Sequence, residues 1–275
     1  VQQPTEPGKE EYQQYPDQLF RTVGLFRAND QEHGQQPDEG DQKQARSTQA
    51  QQTLQKIEIL SSNCSGCQCG DMNSRLQAVI GHQAKLRACR RCPKMIGPVV
   101  TCTPSLSRIL MVGQAPGERE GQFGRPFAWT AGKTLFGWYR QIGIDEAEFR
   151  ERVYMAAVCR CFPGKNPKGG DRVPDREEVA SCARWLDAEF ELLQPELLIP
   201  VGKLAIEQYL PVKLLKDVIG RQHVIEAYGR TVDVIPLPHP SGLSTWHRVE
   251  PGKTLLQDAL GLIQRHPAWR AITSG

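Results

Sequence analysis

The sequence predicts an α/β fold with a largely parallel sheet, because short apolar runs alternate with segments of helical periodicity. The apolar runs, each interpreted as a strand, are Arg108–Val112, Val153–Val158, Leu197–Val201, Gln222–Ala227 and Thr231–Pro236. The helical segments are Thr134–Ile142, 175–193, Lys203–Leu210 and Lys253–Arg265. Short runs of this kind, bounded by turn residues, are typical of strands buried in the middle of a sheet.

The first strand leads into a loop rich in glycine and proline, in the stretch MVGQAPGEREGQFGRPF from Met111 to Phe127. Gly113 and Gly117 allow the backbone to approach a ligand closely, and Pro116 stiffens the turn between them. In open α/β sheets the ligand crevice lies at the carboxyl ends of the strands. We therefore expect a binding site at this loop.

The later elements carry their own local signals. Asp175 is expected to be the N-cap of the helix that ends near residue 193, and Glu177 and Glu178 are favourable in its first turn. Tyr228 and Gly229 mark the turn between the last two strands. The final strand runs into the sequence LPHPSG at residues 237–242.

Residues 1–75 differ from the rest of the chain and are interpreted as a disordered, Gln-rich extension that precedes a domain at 76–275. Residues 1–60 contain 14 Gln and few apolar side chains, too few to offset the entropy cost of ordering the segment. Residues 1–75 hold 7 Lys and Arg against 11 Asp and Glu, which leaves 27 against 20 for the domain. A net positive domain is compatible with a polyanionic partner.

Composition excludes several classes of protein. No apolar run approaches the roughly 18 residues that span a bilayer, and the N-terminus lacks the apolar core of a secretory signal. Nine cysteines, an odd number, argue for a reduced compartment, and we expect a cytoplasmic protein. Gly132-Lys133-Thr134 is not a phosphate-binding loop, because Phe127 stands where that motif needs a second glycine.

Four cysteines form a candidate metal site. Cys89 and Cys92 make a CxxC pair, and Cys161 and Cys182 are separated by 20 residues. Two CxxC pairs would favour zinc, whereas one pair with two dispersed cysteines also permits an iron–sulfur cluster. A second group consists of Cys64, Cys67 and Cys69. No further ligand pair lies near this group, so it is interpreted as solvent-exposed thiols.

The combination of GQAPG with GRPF, HPSG after a late strand, and the four cysteines resembles the uracil-DNA glycosylase superfamily, and within it the iron–sulfur branch called family four. The resemblance covers about residues 76–265. It implies a three-layer α/β/α fold around a central, mostly parallel four-stranded sheet. It also implies a [4Fe–4S] cluster on Cys89, Cys92, Cys161 and Cys182, with zinc as the lesser alternative and Cys159 as a competitor of Cys161.

The resemblance implies a monomeric DNA repair enzyme that flips a deaminated base, uracil foremost, out of DNA and hydrolyses its N-glycosidic bond. Phe127 would stack on the base, and His239 would donate to a base oxygen as negative charge develops there. Gln114 would lie beside the sugar or the attacking water. The residues expected to bind substrate through the backbone or a hydroxyl are Gly113, Ala115, Ser241 and Gly242.

Two further sets of side chains are candidate DNA contacts by the same resemblance. Three basic residues in the loop before Asp175 would contact phosphates: Lys165, Lys168 and Arg172. Three residues after the HPSG sequence would wedge into the duplex or contact its backbone: Leu243, Trp246 and His247. Ordinary roles as solvated or packed side chains remain the alternatives for both sets.

The chain departs from the family at two important positions. The family has Glu where this chain has Gln114, and an amide can orient a water but cannot act as a general base. The family also places Asn, which reads the pyrimidine edge, where this chain has Ala157. Asn166 is a candidate replacement for that amide.

These departures support a second hypothesis, a catalytically weak iron–sulfur DNA-binding module on the same scaffold. A third hypothesis is an iron–sulfur electron carrier, which would not need the HPSG sequence. Salt-dependent DNA binding separates the first two hypotheses from the third. Release of a base separates the first from the second.

Overall fold

The computed structural model of this protein describes residues 67–167 and 169–274. The predictions for residues 1–66, which include most of the Gln-rich extension and Cys64, lie outside these ranges, and so does Lys168. Within the described ranges, no helix is both long enough and apolar enough to cross a membrane.

Helices and strands alternate along the described chain, as predicted. The α-helices are α1 (Cys67–Arg87), α2 (Glu120–Phe123), α3 (Thr130–Gln141), α4 (Glu146–Arg152), α5 (Arg176–Leu193), α6 (Lys203–Ile206), α7 (Gly252–Arg265) and α8 (Pro267–Thr273). The strands are β1 (Ile109–Gly113), β2 (Tyr154–Ala157), β3 (Leu197–Pro200), β4 (His223–Ala227) and β5 (Arg230–Val234). Short 3₁₀ turns cover Leu215–Asp217 and Trp246–Arg248.

The strands form one sheet in the order β2-β1-β3-β5-β4. β2, β1, β3 and β5 are parallel, and at the centre Met111 lies between Met155 and Ile199. β4 is antiparallel to β5 and forms one edge of the sheet. The resemblance implies the four parallel strands, and β4, predicted from the sequence as Gln222–Ala227, adds an antiparallel fifth.

Both faces of the sheet are covered. Every residue of β1 and β3 is buried, and because successive side chains of a strand point to opposite faces, this burial requires cover on both sides. An aromatic cluster joins α3, α4 and α8, with the Tyr139 ring centroid 4.2 Å from that of Phe149 and 5.5 Å from that of Trp269. Elsewhere α1 packs against α5. The predicted three-layer α/β/α fold is confirmed.

Helix α5 begins with the capping interaction that its sequence predicts. The Asp175 carboxylate accepts the backbone N–H of Glu178 at 2.9 Å, and the Glu178 carboxylate accepts the backbone N–H of Asp175 at 2.7 Å. Two amides of the first turn, which have no partner inside the helix, are satisfied in this way.

The helical spacing of Leu76, Val79, Ile80 and Leu86 predicts a helix from Leu76, and in the structure this helix, α1, begins nine residues earlier at Cys67. The boundary placed at residue 75 therefore falls inside a helix. The buried residues that mark its packed face start at Val79. Residues 71–74 are exposed, so the early turns lack the apolar spacing by which a helix is recognised in a sequence.

Candidate active site

The parallel strands end at one edge of the sheet, and the loops that follow them carry the predicted site residues. The loop after β1 holds Gly113–Gly117, and the backbone N–H of Cys159 donates to the Gln114 carbonyl at 3.0 Å, which extends the β1–β2 pairing beyond both strands. Gly202 follows β3, and His239 lies after β5. This edge is the one where parallel α/β sheets bind ligands.

A pocket open to solvent lies between the Gly113–Phe127 stretch and the end of β2. Its lining includes Gly113, Ala115 and Phe127, three of the predicted substrate-binding residues, together with Ala157 at the end of β2. A Cβ added to Gly113 would lie 3.0 Å from Cζ of Phe127, so the ring lies directly against this glycine. The absence of a side chain at position 113 therefore makes room for the aromatic wall of the pocket.

The backbone of Phe127 is held in an unusual conformation by Arg150, a residue that no sequence motif marks. Phe127 has φ of 52°, in the left-handed region that costs free energy for a residue with a Cβ. The guanidinium of Arg150, on α4, donates to the carbonyl oxygens of Pro126 at 2.8 Å and Phe127 at 3.0 Å. These two bonds fix the turn that presents the ring.

Glu120 is a second residue that the sequence analysis missed. It lies in α2, its side chain is buried, and it lines the same pocket. Burial raises the pKa of its carboxyl group to about 7, although the backbone amides of Phe127 and Gly117 donate to it and oppose the shift. At neutral pH this group is therefore divided between its neutral and charged forms, and it supports the same turn as Arg150.

His239 is oriented by its own loop. The backbone N–H of Ser241 donates to its Nδ1 at 3.2 Å, so in the neutral ring the proton resides on Nε2. Burial lowers the pKa of His239, and the charge of Asp171 opposes this effect. On its other side the ring packs on Gly202, where an added Cβ would lie 2.9 Å from Cδ2 of the histidine. The loop thus presents a neutral imidazole with an Nε2–H donor.

The neighbouring residues of this loop are accessible. Ser241 is half-buried, Gly242 is exposed, and Leu243 has 77% of its surface exposed. The predicted wedge residue His247 is instead buried, with its ring 5.1 Å from that of Trp138. Packing against α3 accounts for His247 as a structural residue, while Leu243 keeps the exposure that a DNA contact needs.

The loop after β2 places a carboxylate at this edge, at Asp171. Its Oδ1 pairs with Nζ of Lys165 at 2.8 Å, and its Oδ2 lies 3.4 Å from where a Cβ of Gly117 would be. Nothing in the sequence near Asp171 connects it with the loop after β1. The predicted phosphate contact Lys165 is paired with both Asp171 and Glu118, and Arg172 is paired with Glu178.

The four predicted metal ligands come together from distant segments, and all are free thiols. Cys89, Cys92 and Cys161 are partly buried and Cys182 is buried. Burial, together with the nearby thiols of Cys182, Cys89 and Cys92, raises the pKa of Cys161 to about 12. Mutual repulsion of this kind is expected only where thiolates would lie close together.

Cys159 is a fifth thiol in the same region. Its hydrogen bond with Cys182 raises the pKa of Cys159 and lowers that of Cys182. Among the described residues, no three Cys, His, Asp or Glu side chains converge closely enough to hold a metal ion as they stand. The donor set of free, neighbouring thiols nevertheless has the chemistry that iron–sulfur clusters and zinc require.

A buried ion pair lies beneath the thiols and was not anticipated. Arg160, between Cys159 and Cys161, donates from Nη1 to Oε1 of Glu189 on α5 at 3.0 Å, and both side chains are buried. The hydroxyl of Tyr154 donates to the same oxygen at 2.9 Å. This pair attaches the end of β2 to α5.

The fold and these groups define an α/β protein whose site is built from the loops at the carboxyl edge of a parallel sheet, beside a group of free thiols. Residues 100–260 match the sequence model of the uracil DNA glycosylase superfamily. The chain belongs to this superfamily, as the motifs predicted.

Individual relatives carry more specific names. A type-4 uracil-DNA glycosylase of Thermotoga maritima is 33% identical over 177 residues, which cover 63% of this chain and 87% of the relative. The type-4 enzyme of Archaeoglobus fulgidus is 32% identical over 50% of this chain and 67% of its own. A type-5 uracil-DNA glycosylase of Thermus thermophilus is 30% identical over 46% of this chain and 68% of its own.

Proposed function

We propose that this protein hydrolyses the N-glycosidic bond of a deaminated base in DNA, with uracil as the foremost substrate, after the base has been flipped into the pocket beside Phe127. The observation that carries the proposal is the combination of this pocket with a neutral His239 whose Nε2–H is free to donate. The type-4 and type-5 relatives are named for action on uracil in DNA, which supports the choice of base.

The residues act on the base in two ways. The ring of Phe127 provides a stacking surface for the flipped base. As the glycosidic bond breaks, negative charge develops on the departing base, and the Nε2–H of His239 stabilises it by donating to a base oxygen. A neutral donor is suited to this role, and burial together with the Ser241 amide keeps His239 neutral. Ser241 and Gly242 would hold a phosphate.

We further propose that Cys89, Cys92, Cys182 and Cys161 hold a [4Fe–4S] cluster, which would supply a structural cross-link rather than take part in bond cleavage. The thiols lie on segments that flank the loop after β2. Holding them together would fix the loop that carries Lys165 and Asp171 at the DNA-facing edge.

A second candidate, a DNA-binding module with weak catalysis, is favoured by Gln114 and Ala157. Gln114 follows β1, where the family has Glu. Ala157 contributes only a methyl group to the pocket, so it cannot read the hydrogen-bonding edge of a pyrimidine.

The test uses anaerobically purified protein and duplex oligonucleotides that carry one uracil, hypoxanthine or xanthine, with alkali-labile strand breaks as the readout. We expect cleavage at uracil, and we expect His239→Ala to reduce it by about 100-fold. Phe127→Ala should also reduce it. His223→Ala is the matched control, because His223 lies on the edge strand β4 and bonds only the Val218 carbonyl oxygen among the described contacts. Intact protein that binds DNA but cleaves none of the three lesions would favour the binding module.

The ligand assignment is tested by iron and acid-labile sulfide content. Cys182→Ala should lose both, whereas Cys102→Ala should keep them, since Cys102 is buried beside Gln83 and no other thiol is among the groups that shift its pKa. Parallel Cys159→Ala and Cys161→Ala variants decide which of these two is the ligand. Zinc in place of iron in the wild-type protein would contradict the cluster.

A further inference from the structure

We propose that Asp171 is a catalytic residue that accepts a proton from the attacking water, and so supplies the carboxylate that position 114 lacks. This inference rests on the proposed function. In a hydrolysis the attacking water must lose a proton, and Gln114 is an amide that can only orient a water.

The backbone next to Asp171 is held by hydrogen bonds. The backbone N–H of Arg172 donates to the Gly164 carbonyl at 2.8 Å, and that of Asn166 donates to the Gly170 carbonyl at 2.9 Å. Lys165 and Asp171 face each other across this narrow loop in an antiparallel bridge. The backbone that carries the Asp171 carboxylate is therefore fixed on both sides, as catalytic positioning requires.

The loop lies between the two catalytic loops. On one side, Oδ2 of Asp171 is 3.4 Å from the position of a Cβ on Gly117, in the GQAPG loop. On the other side, a Cβ on Gly170 would lie 2.6 Å from Cδ1 of Leu243, in the loop that follows His239. The Asp171 carboxylate therefore faces the gap between Phe127, which would stack on the base, and His239, which would stabilise its developing charge.

Electrostatic effects agree with this placement. The negative charge of Asp171 raises the pKa of His239 and, separately, that of Glu120. Both groups belong to the site, so the carboxylate lies close enough for both to sense its charge. Its Oδ1 is held by Lys165, which leaves Oδ2 as the atom directed toward Gly117.

The other nearby acids are less suitable. The Glu120 carboxyl group is buried in the wall of the pocket and receives the backbone amides of Phe127 and Gly117. Glu118 is largely exposed and directs its Oε2 to Lys165 at 3.1 Å. These two are the only acids within the described GQAPG–GRPF stretch. Because neither is placed to accept a proton from the water, Asp171 is the better candidate for the general base.

The step balances as a hydrolysis. The oxygen of the water forms a bond to C1′ of the sugar, and the bond from C1′ to the base nitrogen breaks. Its electron pair leaves with the base, where the Nε2–H of His239 stabilises the charge. The proton lost by the water passes to Oδ2 of Asp171, while Gln114 orients the water.

The experiment compares single-turnover uracil release by the wild type and Asp171→Asn, at saturating protein and with DNA binding measured separately. We expect the rate to fall by about 100-fold, with little change in DNA affinity. Asp171→Glu should keep part of the activity. Gln114→Glu in the Asp171→Asn background should restore part of it, because it returns a carboxylate from the other side.

Two controls separate catalysis from structure. Lys165→Gln removes the cation that pairs with Asp171. If the Asp171 carboxylate accepts the proton, Lys165→Gln should lower the rate of uracil release much less than Asp171→Asn does. Glu118→Gln removes the other acid on Lys165 and should leave the rate unchanged. The inference fails, and the proposed function stands, if the wild type is active and Asp171→Asn releases uracil at a rate within threefold of it. The same holds if Lys165→Gln reduces the rate as much as Asp171→Asn does. A wild type that binds DNA but releases no base overturns the proposed function as well.

Discussion

The backbone N–H of Ser241 points at Nδ1 of His239, 3.2 Å away. A backbone amide can only donate, so Nδ1 must accept and the single proton of the neutral ring lies on Nε2. Two residues of one short loop thereby set both the orientation and the tautomer of the imidazole. Protonation of Nδ1 would remove this acceptor and turn a favourable contact into a repulsive one.

The first prediction concerns the pH dependence of base release. Burial lowers the pKa of His239 from its ordinary value of 6.5, so the neutral form persists below that pH. We expect the wild-type single-turnover rate to stay constant from pH 8 down to 6.5 and to fall only in more acidic solution. A rate that already falls between pH 8 and 7 would contradict a neutral donor.

The second prediction concerns Gly202, which has φ of 87° and lies against the His239 ring. Gly202→Ala should reduce uracil release by at least about tenfold, because the new methyl group displaces the imidazole by distances known to matter in catalysis. It should also cost about 1–3 kcal/mol of stability through the strained backbone.

Gly229→Ala is the matched control for this substitution. Gly229 has φ of 70° but no atom within 4 Å of the added methyl group. It should show a comparable loss of stability in denaturant unfolding with unchanged activity. Equal loss of activity in both variants would mean that backbone strain, not contact with His239, is responsible.

The third prediction concerns the Glu120 carboxyl group, whose pKa is raised by burial from 4.5 to about 7. A raised pKa means that the folded state favours the neutral form, so the stabilising contribution is complete below pH 4.5 and is lost as the pH rises through 7. Glu120→Gln removes this dependence. At pH 8 the variant should be more stable than the wild type by roughly 1–3 kcal/mol, and at pH 4.5 the two should be similar.

Thermal unfolding at several pH values measures this difference. Glu118→Gln serves as the reference, since its side chain is exposed and two residues away. If Glu120→Gln and the wild type lose stability in parallel between pH 5 and 8, the carboxyl group is not the cause of the dependence.

The fourth prediction concerns the buried pair of Arg160 and Glu189. Arg160→Met leaves the Glu189 carboxylate buried without its main partner, and this should cost about 3–5 kcal/mol. Adding Glu189→Leu should recover much of the loss, because the uncompensated charge is removed. Chemical denaturation of the single and double variants gives both values, and a double variant no more stable than the single one would refute the explanation.

The sequence was sufficient for the parts of the fold that local patterns encode. β1 and β3 are short apolar runs bounded by turn residues, and the acidic residues around Asp175 form a capping box that was visible as a pattern. The early turns of α1 are exposed and show little apolar periodicity. Helix α4 has only a short apolar face, although Asp145 and Glu148 form a capping box like that of Asp175 and Glu178.

The candidate site likewise contains residues that sequence motifs mark and residues that only the structure reveals. Phe127 and His239 stand in motifs, so resemblance was able to select them. Glu120 accepts hydrogen bonds from its own stretch, at the amides of Gly117 and Phe127, but no motif marks it. Arg150 and Asp171 make contacts between separate segments, and 23 residues separate Arg150 from Phe127, whose carbonyl oxygen it bonds. Such contacts depend on how the strands are ordered in the sheet, which a single sequence does not specify.

The proposed roles are also divided along the chain, between a longer N-terminal piece and a shorter C-terminal piece. Every group proposed to receive the base, and every proposed thiol ligand, precedes the 3₁₀ turn at Leu215–Asp217, next to the exposed Leu214, whereas β5 and His239 follow it. Cutting the chain at that turn would separate a piece that can hold a base from a piece that can stabilise its departure. Uracil release would then be a direct reporter of reassembly, in the manner of a split enzyme.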